Sequence, residues 1–258
     1  MAEGHVKHVA SASFGKDSMA TIILALEHGE PLDYAVYCEV MFDDVTSGEV
    51  PEHREFVYGR AIPFLEKHGV KTVILHSDMT YIRSFFRVLQ KGKCTGRLNS
   101  WPLCGKCCIQ RDCKLRPLKA YQKSLGRNTV QYIGIACDEN ERLARLKKGR
   151  EISLLDKYQK TEADAVEICK AYGLYSPVYG FSERNGCFFC PNAGLRELRH
   201  LYDHHPELWA RLLELQKVPN KATELFNRTD TIDEIDGLFQ FEDAHFSLFD
   251  EDWGNAAA

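Results

Sequence analysis

Ser13-Phe14-Gly15-Lys16-Asp17-Ser18 stands between a strand-like run, His5 to Ala12, and an apolar run in which Met19, Ala20, Ile22, Ile23, Leu24 and Leu26 recur at helical spacing. The first run predicts a buried parallel strand, and the second a helix closed by Gly29 and ended by Pro31. A strand, a tight turn and a helix N-terminus aim unpaired N–H groups and the positive end of the helix dipole at one point. An anion placed there is stabilised without any special side chain. Gly15 lets backbone approach a phosphate, and the Ser13 and Ser18 hydroxyls can donate to its oxygens. Lys16 adds a positive charge, and Asp17 can cap the helix or reach a metal ion carried by a nucleotide. The stretch has neither the Gly-x-x-x-x-Gly-Lys-Ser/Thr spacing nor Gly-x-Gly-x-x-Gly, so neither of those phosphate-binding folds is supported.

Four strand-like runs, His5 to Ala12, Tyr34 to Phe42, Val70 to His76 and Thr129 to Ala136, alternate with helical patterns. The alternation predicts an α/β fold, a twisted parallel sheet with helices on both faces. Ligands in such sheets bind beyond the carboxyl ends of the strands, where the loop at Ser13 is joined by Asp43 and Asp44, and by Asp138 and Glu139. Pro51 to His68 reads as a helix bent by Gly59 and Pro63, and Tyr81 to Leu89 as a short amphipathic helix. Lys91 to Trp101 reads as a mobile basic loop. Thr161 and Asp164 resemble a capping box opening a helix that ends at Gly173. Helical patterns over Leu195 to Tyr202 and Pro206 to Lys217 make residues 191–258 a C-terminal helical extension with an acidic tail, after a domain spanning 1–190.

At 258 residues and 44% apolar, the chain is long enough to bury a full core. No basic leader or bilayer-length apolar run is present, so a cytoplasmic protein is expected. The net charge of -4 hides an asymmetry. Residues 83–150 carry 17 lysines and arginines against four acidic residues, while Asp230 to Asp252 carries nine acidic residues and no lysine or arginine. The basic segment suits a polyanion such as a nucleotide or RNA, or else is a solvated face balanced by the acidic tail. Arg142 and Arg145 are donors suited to an anion.

Ten cysteines in a reducing compartment point to metal ligands or reactive thiols rather than disulfides. Cys38, Cys137 and Cys169 sit alone in apolar runs and read as core residues. Cys104-Gly-Lys-Cys107-Cys108 and Cys187-Phe-Phe-Cys190 form two Cys-x-x-Cys hooks about 80 residues apart. Two such hooks make a four-sulfur site, fitting Zn²⁺ or an iron–sulfur cluster, and spacing does not choose between them. Cys94 and Cys113 are weaker candidates.

Ser-x-Gly-Lys-Asp-Ser after a first strand resembles the loop of the N-type ATP pyrophosphatases, the PP-loop or adenine nucleotide alpha hydrolase superfamily. Within it, later motifs look like the phosphoadenosine phosphosulfate reductase family, the likeness running from about His5 to Leu215. Gly134-Ile-Ala-Cys-Asp138-Glu139-Asn-Glu-Arg142 is similar to that family's segment near the phosphates and sulfate, and Leu154-Leu155-Asp156 to Tyr172 resembles its Pro-Leu then Trp-Thr-x-x-Asp helix start. The resemblance implies that Ser13, Gly15, Lys16, Asp17, Ser18, Asp43, Glu139 and Arg142 hold ATP or a related adenylyl nucleotide with Mg²⁺, with Lys16, Asp17 and Arg142 in the chemistry. Cys107-Cys108, followed by Arg111, Pro117 and Leu118 and later by Cys187 and Cys190, looks like the tandem pattern with which assimilatory adenylylsulfate reductases hold a [4Fe-4S] cluster. Cys104 is a competing partner, so the fourth ligand is Cys104 or Cys108.

The implied activity is an enzyme acting at a nucleotide α-phosphate, adenylating an acceptor for sulfur transfer. The reductases of the family use a mobile cysteine in a Glu-Cys-Gly-x-His tail, and no cysteine follows Cys190 here. Reductase activity would therefore need one of Cys94, Cys104, Cys108 or Cys113. A non-catalytic nucleotide or nucleic-acid binding module with a structural metal is the other alternative. Because metal binding is also folding energy, Cys187→Ser is expected to lower both the metal content of anaerobically purified protein and its melting temperature. Full metal content with an unchanged melting temperature would remove Cys187 from the ligand set.

Overall fold

The computed structural model describes residues 6–102, 105, 107–126 and 128–253. Strands β1 (Lys7–Ser11), β2 (Tyr34–Cys38), β3 (Lys71–Leu75), β4 (Thr129–Tyr132) and β5 (Glu151–Ile152) form one parallel sheet in the order β3-β2-β1-β4-β5. Its helices, in chain order, begin with α1 (Lys16–Glu27), α2 (Pro51–Phe56), α3 (Ile62–Lys67), α4 (Tyr81–Phe85) and α5 (Arg116–Leu125). They continue with α6 (Asn140–Leu143), α7 (Leu154–Lys157), α8 (Glu162–Ala171), α9 (Leu195–His204), α10 (Pro206–Gln216) and α11 (Ile232–Trp253). This is the α/β parallel sheet that the sequence predicts, with helices after it. Among the described residues, no helix is long and apolar enough to cross a membrane.

Strand side chains alternate between two cores, as a sheet covered on both faces requires. Ala10, Ala35 and Tyr37 point to one side, where α1 lays down Met19, Ile22, Ile23 and Leu24 with Leu154, Leu155 and Cys169 from α7 and α8. Val9, Val36 and Cys38 point to the other, against Leu118 of α5. Each fully buried aliphatic side chain contributes about 1.5–3 kcal/mol, so the α1 face alone anchors the helix firmly. Cys38 and Cys169 are core residues as expected, whereas Cys137 is only half-buried.

Local departures from the sequence reading have local causes. The fifth strand pairs only Glu151 and Ile152 with β4, too short a run to show alternation. The bend expected at Gly59 and Pro63 is a π turn over Val57–Ala61 joining α2 to α3. The wider turn falls where the Pro63 nitrogen cannot donate to the helical ladder. Helix α4 stops at Phe85, because Val88 leaves the helix to bridge Leu98. The capping box at Thr161 and Asp164 is formed in full.

The chain divides into two compact units, one of Met1–Tyr81 with Ile109–Cys187 and one of Ile82–Cys108 with Phe188–Ala258. The first holds the sheet. In the second, the Lys91 to Trp101 loop is tied down rather than mobile: Leu98 pairs with Asn220 and Ala222, and Trp101 is buried between Phe85 and Phe226. The acidic tail forms α11, whose Glu242 and Asp243 pair with Arg199 of α9.

Where β2 ends, the buried Glu39 carboxylate accepts hydrogen bonds from Arg54 Nε at 2.8 Å, Tyr58 Oη at 2.7 Å and His76 Nε2 at 3.1 Å. Burial alone would raise its pKa, but these donors together with Ser47 hold it down at about 2. A depressed carboxylate stabilises the fold above its unfolded pKa, and that stability is lost as pH falls from about 4.5 towards 2. Glu39→Gln is expected to cost about 3 kcal/mol at neutral pH and to flatten the acid limb of the unfolding curve. Chemical denaturation of the variant at pH 7 and pH 3 checks both.

Candidate anion-binding crevice

The chain runs from β1 to β2 and β3 on one side and places β4 and β5 on the other, so the order of the sheet reverses at β1. Open α/β sheets bind ligands at this point, outside the carboxyl ends of the strands. Here a cavity of about 400 Å³ opens between the turn after β1 and Gly134 after β4, lined by Ser13, Gly15, Asp17, Ser18, Lys114 and Arg142 among others. Its volume is that of a small-molecule site.

The floor is the loop singled out in the sequence. Phe14 takes a left-handed conformation, with φ of 56°, and Gly15 is the extended N-cap of α1. No side chain caps the helix, and the Asp17 and Ser18 N–H groups have no acceptor among the described residues. The Lys16 N–H donates to the Tyr179 hydroxyl at 2.9 Å. Ser18 Oγ donates to the Gly15 carbonyl at 3.0 Å and lies 3.5 Å from Ser13 Oγ. A β-carbon on Gly15 would lie 2.6 Å from Asn185 Oδ1 and 2.8 Å from the Tyr179 hydroxyl. Glycine at this position admits those two polar side chains as well as any ligand.

The walls fix this floor. A β-carbon on Gly134 would lie 2.7 Å from both the Asp17 carbonyl carbon and the Ser18 nitrogen, so β4 ends directly against the first turn of α1. His53, fully buried, bonds Ser176 Oγ through Nδ1 and the Ser13 carbonyl through Nε2, each at 2.9 Å. Nε2 must carry the proton, since a carbonyl only accepts. Burial holds the imidazole neutral, with its pKa down at about 4.

Two cationic side chains face the cavity. Lys114 arrives on a π turn over Gln110–Leu115 that runs straight into α5. Arg142 arrives on α6 and hydrogen-bonds Glu139, whose other oxygen accepts the Ala136 N–H at 2.9 Å. Lys16 does not line the cavity: its Nζ lies 2.7 Å from Asp17 and 3.1 Å from Glu162. Burial would lower the Lys16 pKa, but those two carboxylates raise it. Asp17 lines the cavity with its pKa raised, burial outweighing the pull of Lys16. Burial holds the Tyr179 hydroxyl protonated, its pKa raised to about 12.

Of the residues expected from sequence, the crevice gathers Ser13, Gly15, Asp17, Ser18 and Arg142, with Glu139 holding Arg142. Asp43 does not line it: its carboxylate accepts from the Val45 and Thr46 N–H groups and closes the turn after β2. Lys114, Tyr179 and Asn185 were not anticipated. Lys114 was visible only as one of many basic residues, and nothing in Pro177–Gly180 or Asn185-Gly186 beyond turn composition marked the other two.

Among the cysteines, Cys104 lies outside the described residues. Cys107, Cys108 and Cys190 belong to the second unit, where no three described thiol sulfurs lie within 4.8 Å of one another. Cys108 Sγ receives Asn99 Nδ2 at 3.7 Å and lies 3.8 Å from Ser84 Oγ. Hydrogen bonds of this kind also support thiolate ligands at iron–sulfur and zinc sites, and Cys108 has them. Cys187, in the first unit, bridges Glu49 through its backbone. Comparison with family models, with curated proteins and with solved structures found no match for this chain.

His53 sets a pH limit on the loop. Its pKa is lower in the folded chain than the usual 6.5, so the unfolded chain binds the extra proton and stability falls as pH drops from about 6.5 to 4. Melting temperatures across that range should decline in the wild type and decline less in His53→Gln. Equal slopes in the two proteins would mean that His53 does not carry the effect.

Proposed function

We propose that the chain is a PP-loop enzyme of the phosphoadenosine phosphosulfate reductase-like kind, which binds ATP or a related adenylyl nucleotide and acts at its α-phosphate. The reading takes the reaction as adenylation of an acceptor for sulfur transfer in the reducing cytoplasm. The observation that supports it is the meeting of open first-turn N–H groups, Lys114 and Arg142 around one cavity at the strand reversal. Preorganised donors of this kind stabilise charge that builds on a phosphoryl group without reorganising during the reaction.

In this reading the loop from Ser13 to Ser18 holds the phosphates, while Lys114 and Arg142 neutralise the charge that develops at the α-phosphorus. Asp17 offers a carboxylate to Mg²⁺ held by those phosphates, a common way of binding that ion. Lys16 joins by exchanging Asp17 and Glu162 for a phosphate oxygen. The acceptor is taken to be polyanionic, such as RNA, because the basic excess of residues 83–150 surrounds these groups in sequence. Cys107, Cys108, Cys187 and Cys190, with Cys104, are assigned to a [4Fe-4S] or Zn²⁺ centre on their sequence spacing. Such a centre, when bound, would supply a thiolate-ligated metal for sulfur chemistry.

Calorimetric titration with MgATP tests the site. Lys114→Ala should weaken binding about tenfold, as should Gly134→Ala, which forces β4 away from the loop. Release of pyrophosphate or AMP from ATP on adding acceptor RNA and a sulfur donor would support the activity. Wild-type affinity in both variants would refute the assignment of the crevice.

A further inference from the structure

A second cavity, of about 410 Å³, lies at the other end of the sheet, where Thr129 opens β4 and Glu151 opens β5. Among the described residues its walls carry four basic side chains, Lys119 and Lys123 from α5 and Lys147 and Arg150 from the turn before β5. One carboxylate, Glu151, answers them, and it is committed to Lys147 at 2.8 Å. Lys119, Lys123 and Arg150 have no ion-pair partner among the described residues. Like charges four apart on a helix repel, as Lys119 and Lys123 do, and an anion bound between them would relieve this. Gln122 donates to Gln131 at 2.9 Å, which leaves the Gln131 amide NH₂ as a neutral donor in the same cavity.

The two cavities share a helix. Lys114, in the crevice, and Lys123, in the second cavity, lie on the one helical run from Gln110 to Leu125, about 14 Å apart along its axis at about 1.5 Å per residue. A single small anion would use one cavity. A polymer with a phosphate at every step can use both, and basic side chains of this kind suit a strand whose backbone charges release counterions on binding.

We propose that this second cavity is a backbone-phosphate site for a nucleic-acid strand, guiding it along α5 towards the crevice. The assignment rests on the reading above that the acceptor is polyanionic, and it adds where that polyanion is held. Lys119, Lys123 and Arg150 contact phosphates, with no base readout, so RNA and DNA strands of different sequence bind alike.

The test is fluorescence anisotropy of the full chain with labelled single strands of about 16 nucleotides, RNA and DNA, over a range of salt. MgATP affinity is measured in parallel. In K119Q/K123Q/R150Q, all three changes being on exposed side chains, strand affinity should fall about tenfold or more, and the slope of log K against log salt should shrink by about 2. ATP affinity should stay as in the wild type. Unchanged strand affinity and slope in the triple variant would overturn the proposal, as would a wild type that binds inorganic phosphate here but no strand. A wild type that binds strands through these residues but does not bind ATP would leave this site standing and sink the reading of the crevice.

Discussion

No side chain fits between the end of β4 and the first turn of α1. Gly134 passes close enough to the Asp17–Ser18 peptide that even a methyl group would overlap it, and this contact sets the depth of the crevice. The loop after β1 is pressed from the β4 side by Gly134, and held from behind by His53 through the Ser13 carbonyl. Tyr179 and Asn185 close over it from the chain beyond α8.

The electrostatics of the crevice follow from what is neutral as much as from what is charged. His53 is buried without a carboxylate partner among the described residues and is held uncharged, so it supports the loop without competing for an anion. Lys16, the residue that a sequence reader would first assign to a phosphate, is already paired with Asp17 and Glu162. Lys114, on the π turn that runs into α5, and Arg142, held by Glu139 on α6, are the cationic side chains that line the cavity instead. Lys114 also bears on the buried Glu49, whose pKa burial raises and Lys114 lowers.

The fold was legible because its signals are periodic. Ala10 and Val9, or Tyr37 and Val36, alternate between two cores, and the apolar face of α1 repeats at helical spacing. The loop was legible because strand, glycine and helix cap are adjacent in the chain. Lys114, Tyr179 and Asn185 were not, because what matters in each is a distance to a residue more than 100 positions or a whole strand away, and nothing in their neighbours encodes it. Asp43 lies away from the cavity lining for the converse reason. A short acidic residue after a strand can serve a ligand or its own turn, and here the Asp43 carboxylate accepts from the Val45 and Thr46 N–H groups. The Lys91 to Trp101 loop has a mobile composition but is held by Trp101, a residue whose burial depends on Phe226.

Phe14 adds a consequence of another kind. A residue with a β-carbon in the left-handed region carries strain of roughly 1–2 kcal/mol, and glycine would avoid it. Phenylalanine holds the position because its ring is fully buried edge-on to Tyr37 at 5.3 Å. The loop therefore cannot relax its backbone without drawing that ring out of the core. Local fraying, the usual fate of a surface turn, would here cost the burial of an aromatic ring, which ties opening of the loop to opening of the core.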